Sequence, residues 1–177
     1  IGISNGGQTV FREALAKAAG TDPRRVAVHT LHQHDAPRCD FAAETLLAQQ
    51  GIGGAGFDPI HARDVVQRAA EAVATAMQDM TPVTHLGLAS ATVEKVASNR
   101  RLLGPDGKVQ HTRWTATRDP KLRALPAGTI DPELKMVGFF REDQPLAVLT
   151  WYATHPQSYY RTGLANPDFP GLARNAR

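Results

Sequence analysis

The chain has 177 residues, 42% of them apolar and 21% charged, with 20 basic against 17 acidic side chains and a formal charge of +3. These are ordinary globular proportions, enough for a sizeable core. The basic residues are scattered, apart from Arg24-Arg25 and Arg100-Arg101, and no aromatic-interleaved basic stripe exists, which argues against a nucleic-acid partner. The single cysteine, Cys39, excludes an intrachain disulfide framework and a multi-cysteine zinc site. No apolar run approaches the roughly 20 residues that span a bilayer. The chain opens Ile-Gly-Ile-Ser-Asn without Met and closes on Gly-Leu-Ala-Arg-Asn-Ala-Arg, a helix start without a stop signal. Residues 1–177 therefore read as one partial catalytic domain, truncated at both ends.

Ser4 or Asn5 is placed to cap a helix over residues 9–19, ended by Gly20. Val26-Ala27-Val28 reads as a short buried strand that runs into the histidine-rich residues 29–40. A helix is predicted over 41–50, then a glycine-rich linker. Asp58, as N-cap, and Pro59, at the first helical position, open a long helix to about residue 80. Residues 83–96 alternate as one long strand, and Gly104-Pro105-Asp106-Gly107 is a turn between extended arms. Residues 113–132 are polar and proline-containing, and predict irregular structure. Residues 136–140 and 146–152 form a strand pair about Glu142-Asp143-Gln144. Asp168-Phe169-Pro170-Gly171 opens a last helix. The alternation predicts an α/β fold, a mixed sheet flanked by helices.

His32-Gln33-His34-Asp35 follows the first predicted strand. In an extended segment, residues two apart point the same way, so His32 and His34 can converge on one metal ion or one substrate. Neutral imidazole suits zinc, and Asp35 can orient a histidine from behind. The bland reading is a polar loop with incidental histidines. His155 also follows an apolar strand, in Thr154-His155-Pro156, where it can instead be a capping or core histidine. Arg100, in Ser98-Asn99-Arg100-Arg101, can bind a carboxylate or stabilise an oxyanion, or simply sit solvated. Cys39 is a weaker candidate nucleophile, with no evident activating neighbour.

These motifs resemble, in order, those of the N-terminal catalytic part of the neutral/alkaline ceramidase family. His32-Gln33-His34-Asp35-Ala36-Pro37 looks like its His-Thr-His-Ser-Gly-Pro segment, and Ser98-Asn99-Arg100 is similar to its Asn-Arg segment. Asp131-Pro132-Glu133-Leu134 fits before the strand pair. Tyr152-Ala153-Thr154-His155-Pro156 resembles the strand ending in a zinc-ligand histidine. Asp168-Phe169-Pro170-Gly171 stands where the family has a Gly-Asp segment before a helix. The resemblance covers about residue 26 to the end. It implies His32 and His155 as Zn2+ ligands, His34 as a hydrogen-bond donor to the reacting carbonyl, and Arg100 as an active-site arginine. It also implies a Glu and a Tyr ligand beyond Arg177, and a secreted or periplasmic location. His-Gln-His-Asp departs from the family's His-Thr-His-Ser, and Arg38-Cys39-Asp40 is polar where a lipid-binding mouth is expected.

The expectation is a zinc-dependent hydrolase of an amide bond, acting on a small-molecule or N-acyl lipid substrate such as ceramide. Asp35 is its acid/base candidate. The alternative is a non-catalytic ceramidase-like homologue that binds a lipid, sugar or cell-surface partner. A cysteine-histidine hydrolase using Cys39 is the third reading.

Overall fold

Asn5 precedes helix α1 (Gly6–Ala18) without capping it; its side-chain amide donates instead to Asp40 Oδ2 at 2.8 Å. The computed structural model describes residues 2–176. The helix thus starts three residues earlier than predicted, and Gly20, at φ 62°, ends it. A Cβ on Gly7 would lie 2.6 Å from the Cys39 carbonyl oxygen, so only glycine allows this approach. Around it the chain crosses closely: the Ser4 N–H donates to Cys39 O at 3.0 Å and the Cys39 N–H to Gly2 O at 3.2 Å.

Two aspartates cap the next helices, Asp58 as the sequence predicts and Asp40 in addition. Asp40 accepts from the Ala43 N–H ahead of α2 (Phe41–Gln49), and Asp58 accepts from the Ile60 and His61 N–H groups ahead of α3 (Pro59–Ala76). Each cap satisfies a donor that the first helical turn leaves unpaired. Helix α3 stops short of residue 80, because its last turn tightens to Gln78 N–H to Thr75 O and Asp79 N–H to Ala76 O.

The described residues divide into two compact units, residues 2–80 with 159–176, and residues 81–158. The core of the first is built from Phe11, Cys39, Phe41, Ala62 and Val66, flanked by Val10, Leu15, Val28 and Phe57. Phe41 and Phe57 meet edge to face at 5.7 Å, and the Arg63 guanidinium lies 4.4 Å from the Phe41 ring centre. Helix α5 (Asp168–Asn175) belongs to this unit.

Residues 26–28 form no strand, contrary to expectation. Val26 is extended, but the donors that reach this segment are side chains of α1: Gln8 Nε2 to Val28 O at 2.7 Å, and Arg12 Nε to Val26 O at 3.1 Å. With its carbonyls taken by a helix, the segment makes no ladder among the described residues.

In the second unit β1 (His85–Thr92), β4 (Glu133–Arg141) and β5 (Gln144–Tyr152) form an antiparallel sheet in the order β1-β4-β5. Between them lie a hairpin of β2 (Arg101–Leu103) with β3 (Val109–Thr112), and the short helix α4 (Pro120–Ala124). The expected long strand over 83–96 is shorter, since the Val93 N–H turns to Pro132 O and Lys95 takes φ 63°. Helix α4 interrupts the stretch predicted to be irregular, because Asp119 caps the Lys121 N–H and Pro120 presets the first turn. The fold is α/β, as expected; among the described residues the regular strands pair antiparallel, and Ile3 and Cys39 form an isolated parallel bridge. Among the described residues, no helix is long and apolar enough to cross a membrane.

Candidate metal centre

Alternation along residues 32–35 separates two jobs. His32 and His34 face each other, their Nε2 atoms 2.8 Å apart and their rings edge to face at 4.8 Å. Gln33 and Asp35 reach instead to residues more than 120 positions away. Gln33 Nε2 donates to Pro167 O at 3.0 Å. Asp35 Oδ1 accepts from the Arg161 N–H at 2.9 Å, and Oδ2 accepts from the Thr162 N–H and hydroxyl, each at 2.8 Å. The Asp35 carbonyl also accepts from the Asn166 N–H at 3.0 Å.

His32 and His34 both belong to the first unit, and their Nε2 atoms face one another. The pair offers two imidazole nitrogens to one metal ion. His155 follows β5, as the sequence reading places it. Two nitrogens on one tetrahedral zinc, each about 2.0–2.1 Å from it, sit roughly 3.3 Å apart. At 2.8 Å the His32–His34 pair is closer than that, at the spacing of an N–H···N hydrogen bond. A cation between the two nitrogens needs the rings to part by about 0.5 Å.

The imidazolium form of His32 is disfavoured, so its pKa lies below the ordinary 6.5, first by partial desolvation and then by the charge of His34. Neutral imidazole is the ligand form. Asp35 is held below the usual aspartate range, first by the Thr162 N–H, then by the Thr162 hydroxyl and the Arg161 N–H. It is an ionised acceptor with three donors on its oxygens, a group that holds chain. General-acid chemistry calls for a protonated carboxyl instead.

Arg100, just ahead of the β2–β3 hairpin, lies with its guanidinium 5.5 Å from the Trp114 ring centre, a cation–π contact. Cys39 is buried at 7% exposure, and its thiol pKa is raised, first by burial and then by the charge of Asp40. A buried, protonated thiol packed in the core is a poor nucleophile, so the cysteine-histidine reading has no support from its surroundings.

Three residues of this site escaped the sequence reading. Tyr160 packs edge to face on His34, ring centres 5.7 Å apart at 90°. Thr162 supplies two of the donors on Asp35. Asp168, seen from sequence only as a helix opener, is a carboxylate at 2% exposure that accepts from the Tyr159 N–H at 3.0 Å. The available signal was the run Tyr159-Tyr160-Arg161-Thr162-Gly163, polar and aromatic between two motifs. Comparison with family models, curated proteins and solved structures gives no match for this chain.

Proposed function

We propose that this chain carries the histidine centre of a zinc-dependent hydrolase acting on an amide bond, with His32, His34 and His155 as the nitrogen ligands. The observation that carries the reading is the facing pair His32 and His34, their Nε2 atoms 2.8 Å apart; His155 is added by the resemblance alone. Three imidazoles on one zinc leave a fourth position open, the pattern of catalytic rather than structural sites. Zinc held this way supplies a bound water of lowered pKa and polarises a carbonyl. The amide specificity comes from the motif order that resembles neutral/alkaline ceramidases, and an N-acyl lipid is the substrate class that resemblance favours.

The chain's own residues prepare the centre. His32 is biased to its neutral form, and Asp35 fixes the backbone that follows His34. The resemblance makes His34 a hydrogen-bond donor to the reacting carbonyl. Its Nε2 faces that of His32, and we propose that it serves as a ligand once the two rings part to admit the ion. Arg100 remains the proposed anion-stabilising group, and Trp114 beneath it can hold the guanidinium in place.

The test is hydrolysis of an N-acyl amide by the parent protein before and after chelation, with zinc restored last. Activity lost to the chelator and returned by zinc supports the reading. Undiminished activity in a metal-free preparation refutes it.

A further inference from the structure

Residues 159–167 are tied down on both sides. At one end the Tyr159 N–H donates to the buried Asp168 Oδ2 at 3.0 Å. In the middle, Asp35 takes the Arg161 N–H and both donors of Thr162. Towards the other end, the Asn166 N–H reaches Asp35 O at 3.0 Å and Gln33 Nε2 reaches Pro167 O at 3.0 Å. Arg161 sits at φ 58°, a left-handed conformation that a non-glycine residue keeps only when its surroundings hold it. Asp35 supplies that hold through the Arg161 N–H itself. The outcome is that Tyr160 stands at 90° on the ring of His34.

The geometry points to residues 159–167 as a strap that sets the orientation of His34 for metal binding, with Asp35 and Tyr160 as positioning residues. The inference rests on the zinc reading above. Side chains behind a ligand fix its ring and tune its affinity, typically by 10- to 100-fold. Here the support comes from a ring face and an anchored backbone. Because coupling between two events is reciprocal, a strap that favours zinc must itself be steadied by zinc.

The experiment uses the intact chain and zinc ion alone. Calorimetric titration compares it with Asp35→Ala, Tyr160→Ala and Tyr160→Phe, and hydrogen exchange follows the Arg161 and Thr162 amides. Asp35→Ala and Tyr160→Ala are expected to weaken zinc binding about 10-fold with unchanged helical circular dichroism. Tyr160→Phe keeps the ring and is expected to bind within about 2-fold of the unaltered chain. Zinc is expected to slow exchange at both amides. Full affinity in both alanine variants, or exchange unaffected by zinc, overturns the strap while leaving the zinc reading intact. An equal loss in Tyr160→Phe also overturns it, since the phenol oxygen would then be the active part. If Asp35→Ala fails to fold, Tyr160→Ala decides, because it leaves the carboxylate and its bonds in place. If the unaltered chain binds no zinc, the zinc reading itself falls, a result distinct from all of these.

Discussion

His32 and His34 face each other with their Nε2 atoms 2.8 Å apart, hydrogen-bond spacing that a metal ion between them would replace. Binding and protonation therefore compete at one place. His32 titrates below the ordinary histidine value, so an unfolded chain takes up a proton there before the folded one does. By linkage, stability without metal falls as pH drops through about 6.5 towards the folded pKa, and levels off below it. Melting temperature measured from pH 8 to 5 is expected to decline over that window. His32→Gln is expected to flatten the decline; an unchanged profile in that variant would assign the pH dependence to another group.

Gly7 is the second test. Its added Cβ would meet the Cys39 carbonyl oxygen at 2.6 Å, and the Ile3 side chain at 3.1 Å. Gly7→Ala gains helix propensity but must push two backbone segments apart. A net loss of about 1–3 kcal/mol is expected by denaturant titration. A neutral or stabilised variant would show that the crossing of residues 2–7 over Cys39 is looser than described.

Arg113 joins residues that the sequence leaves unrelated. Its guanidinium donates to the carbonyls of Leu122 and Leu125 through Nη1, and of Asn99 and Pro126 through Nη2. Arg113→Lys keeps the charge and loses the fork, so it is expected to behave like Arg113→Ala. Either change is expected to cost about 2–3 kcal/mol and to open residues 114–129 to limited proteolysis. Wild-type protection in Arg113→Lys would mean that charge alone suffices.

Cys39 offers a test of the thiol alternative. Its raised pKa and burial predict slow reaction with a thiol reagent in the native protein and fast reaction in denaturant. Cys39→Ser is expected to cost about 1–3 kcal/mol, from a hydroxyl placed in an apolar core, with zinc affinity unchanged. Rapid native alkylation that abolishes amide hydrolysis would restore the thiol as a candidate.

Local signals carried most of the fold. Asp58-Pro59, Asp40 and Gly20 each act within one helical turn, and their helices stand close to where the sequence places them. Strand pairing is a long-range event. Val26-Ala27-Val28 has strand composition, yet nothing in a local window reveals that Gln8 and Arg12 occupy its carbonyls. The candidate site divides in the same way. The two-residue spacing of His32 and His34 was legible from backbone geometry, whereas the clamp on Asp35 spans 126 and 127 positions. Tyr160 could be recognised only once the chain had brought it onto His34.

The central claim is that the histidines form one metal centre, and zinc titration of the intact chain at neutral pH tests it most directly. One equivalent of zinc is expected to bind, with His32→Ala, His34→Ala and His155→Ala each weakening it by at least about 100-fold, since each removes a direct ligand. Zinc affinity unchanged in all three variants, or no binding by the unaltered chain, would contradict the account.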